Sequence, residues 1–365
     1  MSIHAPHNFI LQWHVTERCP WRCKHCYQES YTTPEMKLPE IFRVRDQLIE
    51  LLDTFKPRPR HVQVNITGGE PFARTDILKL LEGLTKYNNL WSVSLLSNGA
   101  LLTKENVVAV KAMGINRLQV SMEGLEKQND DIRGVGAFRK TIKAIELLRS
   151  AGIRVTVSLT LSKKNKNDVF ALAKELSVFG VSLLAARRIV PWGHGKEMQE
   201  YLLEPRELEK FYREIANMNR WFIDRGMEIR VKGGCESGFF YDKVDFHEDT
   251  GEALMTQGTC GVRDGRILVV MPDGVVFPCR RLPIPVGKLF ENTLKEIYYS
   301  PQMEAFRSEK TFAGFQACAS CPNLAKCAGG ALCVNYGFTG KWDIPDVQCS
   351  RAFSSLDKAA EYVNK

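Results

Sequence analysis

The chain has 365 residues, 44% hydrophobic and 25% charged, with a formal net charge of +8. These fractions suit a globular protein with one large domain and a smaller one. With no membrane-length apolar run and no basic-then-apolar leader in MSIHAPHNFI, we expect a cytoplasmic protein without a membrane partner. The densest basic run, KKNK at 163–166, is too short for a nucleic-acid stripe, so no nucleic-acid partner is expected.

Short apolar runs alternate with amphipathic stretches from Phe9 to about Phe222. The runs at 9–15, 61–67, 91–97, 117–121, 154–159 and 183–190 predict strands. Between them the patterns at 41–55, 77–87, 103–114, 137–152 and 168–180 predict helices, several closing on Gly. Strand and helix in alternation predict an α/β fold with a parallel sheet. Six strands fall short of the eight that close a barrel, so a partial, open (β/α)6 barrel is expected over residues 1–200. A polar helical pattern at 204–226 then begins a linker and bridge, residues 201–234. Residues 235–350 are rich in Gly, Pro and Cys with few convincing helices, and a last helical pattern occupies 351–365.

Cysteine usage is the informative feature. There are 11, an odd number, and eight lie between Cys235 and Cys349. In a reducing compartment clustered cysteines are metal ligands more often than disulfides, and ligation would stabilise a loop-rich region. Cys19, Cys23 and Cys26 follow the first predicted strand, on the face where β/α barrels gather their active sites. Their C-x3-C-x2-C spacing lets three thiolates converge on one iron–sulfur cluster and leaves one iron open, since [4Fe–4S] clusters take four ligands. Arg18, Arg22 and Lys24 are expected to favour the thiolates. A zinc site completed from elsewhere, or three unrelated buried cysteines, are the alternatives. Downstream, Cys318, Cys321 and Cys327 with the remote Cys349 form a second metal-ligand spacing, for which structural zinc is also a reading.

The triplet followed by Tyr27 resembles the signature loop of radical S-adenosylmethionine (SAM) enzymes. That resemblance implies a [4Fe–4S] cluster on Cys19, Cys23 and Cys26 whose fourth iron is chelated by SAM. It further implies reductive cleavage of SAM and hydrogen abstraction from a substrate by a 5′-deoxyadenosyl radical. TGGEP, with Gly68, Gly69 and Glu70, would face the SAM amine; Ser97 and Asn98 of LLSNG, the ribose or methionine part. Ser121 and Arg133 would serve the SAM carboxylate and ribose, and Arg188 would lie by the adenine. A surface ion pair with Asp130 or Asp131 is the competing role for Arg133, and ordinary turns those for GGEP and SNG.

The C-terminal cysteines resemble the SPASM domain, which carries two auxiliary clusters. The resemblance assigns Cys318, Cys321, Cys327 and Cys349 to one cluster, and Cys260 and Cys279 to the other. The family's next ligand position is Ala331 in this chain, with Cys333 two residues on as substitute. Cys235 is either the fourth ligand or free beside an open iron. Three [4Fe–4S] clusters and SAM are thus the expected cofactors.

Such enzymes mostly modify peptides, so peptide maturation by cross-link, thioether or oxidation is the expected function. A tetrapyrrole or other small-molecule substrate is the alternative, and a non-catalytic electron carrier or zinc-stabilised scaffold a different class. Arg280 and Arg281 follow Cys279 where sulfatase-maturing relatives carry an aspartate, and would suit an acidic peptide or a substrate carboxylate, with a surface or interdomain salt bridge as the competing role. Phe239, Phe240 and Tyr241 are candidates for a peptide groove or for core packing, and His194 is read as a loop histidine. Only 18 residues precede Cys19, which leaves leader recognition to the catalytic domains or a separate leader-binding protein. A flavodoxin or ferredoxin is the expected electron donor.

Overall fold

A computed structural model describes residues 5–234, 260–308, 312 and 314–363. Its six N-terminal strands are β1 (Asn8–His14), β2 (His61–Thr67), β3 (Ser92–Ser97), β4 (Arg117–Ser121), β5 (Arg154–Leu161) and β6 (Leu183–Arg188). They match the six strands expected and run parallel in chain order. β7 (Arg230–Lys232) extends the sheet beyond β6. β8 (Ile267–Val270) pairs parallel with β1 on the other flank, then β9 (Val275–Phe277) and β10 (Gly287–Lys288) turn antiparallel. The result is one ten-stranded sheet with open ends, β10-β9-β8-β1-β2-β3-β4-β5-β6-β7. The C-terminal region thus begins by continuing the N-terminal sheet. Two- to four-residue strands carry too little period-2 pattern to announce themselves in the sequence.

Alternation along each strand decides the two faces. Phe9, Leu11 and Trp13 of β1 and Val62, Val64 and Ile66 of β2 are buried on the outer face. They pack with the helices α1 (Leu38–Thr54), α2 (Ile77–Thr85), α3 (Lys104–Ala112), α4 (Glu126–Arg133), α5 (Ala137–Ser150), α6 (Val169–Val178) and α7 (Pro205–Ile223). Each fully buried Leu, Val or Phe there contributes about 1.5–3 kcal/mol. The intervening residues, such as Gln12, Gln63, Asn65, Gln119, Thr156 and Ser158, turn inward and line a cavity.

The last part of the chain holds more helix than the sequence suggested: α8 (Leu294–Tyr298), α9 (Pro301–Arg307), α10 (Gln316–Ala319), α11 (Leu324–Cys327), α12 (Leu332–Thr339) and α13 (Leu356–Val363). Most span four to eight residues, one or two turns, which periodicity cannot separate from loop. Among the described residues no helix is long and apolar enough to cross a membrane.

Candidate active site

The cysteine loop lies over the C-terminal ends of β1–β4. Parallel pairing of β1 with β2 runs on past both strands: Val15 N–H donates to Thr67 O, Gly69 N–H to Thr16 O and Glu70 N–H to Arg18 O, each at 2.9 Å. This brings GGE against residues 15–19, and its glycines are needed for that approach. A Cβ on Gly69 would sit 2.6 Å from the carbonyl oxygens of Glu17 and Arg18 and 2.8 Å from Cys19 Cβ; one on Gly68 would sit 2.5 Å from Thr16 O.

Glu70 is fully buried, and Ser97 Oγ (2.8 Å), Asn98 N–H (2.8 Å) and Phe72 N–H (3.3 Å) donate to its carboxylate. The Asn98 amide points at Cys19 Sγ, 3.4 Å away. Ser97 and Asn98, expected beside a ligand, therefore also order Glu70 and the cysteine loop.

Burial pushes Glu70 up to about 7 against the lowering effect of these donors. Its ionised form costs the native state, so this contribution to stability is fully present below about pH 4.5 and lost as pH rises through 7. The displacement corresponds to about 3 kcal/mol in all, roughly 1 kcal/mol of it between pH 6 and 8. Glu70→Gln, which mimics the protonated acid, should gain that much on wild type over this range. Urea unfolding of cluster-loaded, SAM-free protein at both pH values checks it; parallel pH profiles would refute it.

Sequence reasoning overlooked Glu123, two residues past β4. Its buried carboxylate accepts from Arg133 Nε at 3.1 Å, Arg133 Nη2, Thr160 N–H at 2.6 Å and His25 Nε2 at 2.9 Å. Burial raises its pKa, but His25 and Arg133 outweigh it and hold the carboxyl at about 2. Arg133 is thus a buried residue paired with Glu123, its Nη1 3.9 Å from Cys23 Sγ, whereas Asp130 accepts from the backbone of Gly136 and Phe138. Neither Asp130 nor Asp131 is its ion-pair partner. A Glu two residues after a strand end, with His and Arg elsewhere in the chain, leaves no local signal.

The three thiols differ from expectation in their electrostatics. Burial pushes Cys19 up to about 12 and raises Cys23. Arg18 is bound to Glu35 at 2.8 Å, and Arg22 donates to the carbonyls of Cys19 and Trp21 while stacking on Tyr31. Both arginines are thus occupied, and burial outweighs the lowering effect of Arg133 on Cys23, so bound metal would have to supply the charge that holds the thiolates.

Cys19, Cys23 and Cys26 open on a cavity of about 350 Å³, and Tyr27, Gly68, Gly69, Ser97, Asn98, Ser121, Arg133 and Arg188 also line it. Cys260, Cys279 and Cys333 lie on its wall as well. Cys318 has Cys349 and Cys321 as close electrostatic neighbours, and burial raises it to about 11. Cys327 and Cys260 share Arg263 as a neighbour. Cys235 and the 239–241 aromatics lie outside the described residues. Among the described residues no three His, Cys, Asp or Glu side chains converge tightly enough for a single ion.

Arg188, expected near an adenine, spends its guanidinium differently: it grips Asp346 at 2.9 and 2.8 Å and reaches Gln348 at 3.2 Å. Arg280 is buried between Glu17, 3.8 Å away, and the Tyr27 ring, 4.7 Å away, while Arg281 donates to Arg188 O. These arginines join the two parts of the chain and also face the cavity.

Residues 13–176 match the family model of the Radical SAM superfamily, and residues 260–322 that of SPASM, an iron–sulfur cluster-binding domain. The chain is 28% identical to an AdoMet-dependent heme synthase of Methanosarcina barkeri, across 88% of this chain and 90% of that protein. It is also 28% identical to a PqqA peptide cyclase of Gluconobacter oxydans, across 96% and 92%. The fold superposes on the crystal structure of Streptococcus suis SuiB bound to precursor peptide SuiA with a TM-score of 0.71 at 19% identity, over 94% of this chain and 76% of that one. Together with the three-cysteine loop over an open parallel sheet, these matches show an enzyme built of a Radical SAM domain followed by a C-terminal SPASM domain.

Proposed function

We propose that this enzyme cleaves SAM reductively and abstracts hydrogen from a peptide during its maturation. The observation that carries the proposal is the single cavity shared by Cys19, Cys23 and Cys26 with Cys260, Cys279 and Cys333. A substrate there touches both ends of an electron path. Cys19, Cys23 and Cys26 would hold the SAM-binding cluster, a role their partial exposure to the cavity suits. Cys318, Cys321, Cys327 and Cys349 would hold one auxiliary cluster, and Cys260, Cys279 and Cys333 the other, with Cys235 as fourth ligand or an iron left open. When bound, cluster and SAM supply the hydrogen-abstracting radical; the protein supplies position and exclusion of water. Gly68 and Gly69 would meet the SAM amine from the cavity wall, Glu70 braces them from behind through Ser97 and Asn98, and Glu123 holds Arg133 toward Cys23. A reducing, cytoplasmic setting, a flavodoxin- or ferredoxin-type donor and a separate leader-binding protein complete this reading.

A peptide substrate is supported by the PqqA peptide cyclase and by a mycofactocin maturase of Mycolicibacterium smegmatis, 27% identical. A small-molecule substrate, such as a tetrapyrrole, is the second reading, favoured by the heme synthase relatives. The test is anaerobic. Reconstituted enzyme with SAM and dithionite should release 5′-deoxyadenosine, and Cys23→Ala should not. A panel of precursor peptides should raise turnover at least fivefold; a rise with an iron tetrapyrrole alone would move the assignment to the second reading.

A further inference from the structure

The cavity wall is strongly and unevenly charged. Arg117, Arg187, Lys232, Arg266, Arg280 and Arg281 all line it, whereas Glu123 is the one carboxylate among its described lining residues. Glu123 is already committed to Arg133 and His25. Several of the cations are committed too: Arg266 pairs with Asp264 at 2.9 Å, Arg280 lies by Glu17, and Arg281 bonds a carbonyl.

Arg187 is different. It sits on β6 in register with Thr160 of β5, half-buried on the inner face. Its guanidinium makes no hydrogen bond or ion pair among the described residues. The inner face next to it carries Thr156, Ser158, Thr160 and Ala185, with Lys232 of β7 beside Ala185; the carboxylate of Glu123, at the Thr160 N–H, is held by Arg133 and His25. A partly desolvated cation without a counter-charge is costly to keep, and an anion that enters the cavity relieves that cost. The planar fork of an arginine matches a carboxylate with two parallel N–H donors.

We propose that Arg187 receives a carboxylate of the substrate and selects for substrates that carry one close to the reacting carbon. On the peptide reading, on which this inference rests, that group is an Asp or Glu side chain or a C-terminal carboxylate. A free organic acid offers the same chemistry. Arg187 is then a specificity residue, distinct from Arg133 beside Cys23.

The experiment uses the full chain, cluster-loaded and saturated with SAM, in anaerobic titration calorimetry. The probes are acetyl-Gly-Glu-Gly-amide, its Gln twin and tricarballylate. Wild type should bind the Glu peptide at least tenfold more tightly than the Gln twin. Arg187→Gln should erase the preference, Arg187→Lys should restore part of it, and SAM affinity should stay within twofold in both variants. Equal binding of the two peptides, or no binding of either peptide or of tricarballylate, would overturn the proposal. So would a preference that survives Arg187→Gln, or a tenfold loss of SAM affinity, which would make Arg187 a cofactor residue. Arg187-dependent binding of tricarballylate without the peptide would keep the carboxylate site and remove the peptide as its source. Release of 5′-deoxyadenosine on adding dithionite to the same samples reports the radical reading separately from Arg187.

Discussion

Asp346→Asn is expected to lower stability by about 3–5 kcal/mol, the usual cost of leaving one member of a buried ion pair without its partner. Asp346 is buried, and four donors saturate its carboxylate: Arg188 Nη1 at 2.9 Å, Arg188 Nη2 at 2.8 Å, Ala331 N–H at 2.9 Å and Gln348 N–H at 2.9 Å. Burial alone would raise its pKa, but Arg188 outweighs burial and keeps it below the ordinary carboxylate value. The close approach also explains Gly330, whose Cβ, if present, would lie 2.2 Å from Asp346 Oδ2. Asn keeps the shape, loses the charge and puts an NH2 group where an acceptor is needed, so Arg188 loses its two-pronged carboxylate partner. The thermal transition should fall by about 4–7 °C for a chain of this size. Cys349 N–H bonds Asp346 O at 2.8 Å, so the iron of the auxiliary cluster proposed for the C-terminal cysteines should fall as well. Arg188→Met combined with Asp346→Leu should lose less than the two single changes added together, because the pair is then removed once and not broken twice. A loss under 1 kcal/mol for Asp346→Asn would show that the pair does not join the two parts of the chain.

The same pair shows where sequence reading reaches its limit. The β1–β6 strands were legible because the outer face of each is an alternating apolar row, and the Cys19 triplet because its spacing is local. Arg188 and Asp346 are 158 positions apart, and nothing near either residue names the other. Glu123 is silent for the same reason: its partners His25, Arg133 and Thr160 come from three separate segments. The inner polar row, QVN in β2, LQVS in β4 and TVSLT in β5, was visible as alternation. Its meaning as a cavity wall required knowing that helices cover the other face. Arg18, Arg22 and Lys24 mislead in the opposite direction: proximity in sequence suggested activated thiols, but Glu35, two carbonyls and Tyr31 engage the two arginines.

Gly69→Ala should cost the protein the cluster proposed for Cys19, Cys23 and Cys26 while leaving the fold standing. The added methyl would meet two backbone carbonyl oxygens at 2.6 Å and Cys19 Cβ at 2.8 Å. Backbone cannot rotate aside as a flexible side chain does, so either GGE or residues 17–19 must move. Each movement breaks the same contacts: Gly69 N–H to Thr16 O and Glu70 N–H to Arg18 O. A misplaced Glu70 would in turn lose the donors from Ser97 and Asn98. Overpacking of this kind costs about 1–3 kcal/mol, survivable for a chain with so extensive a core. Cluster assembly is less forgiving, because three sulfurs must converge on one cube. The expected result is the iron of one cluster missing from the reconstituted protein, and 5′-deoxyadenosine formation down at least 100-fold. The thermal transition should stay cooperative and fall by only a few degrees. Gly314→Ala, where an added Cβ meets nothing within 4 Å, is the control and should match wild type in all three measurements. Full iron loading and normal SAM cleavage in Gly69→Ala would mean that the contact between GGE and the cysteine loop is incidental, and that the paired glycines do not place the three sulfurs.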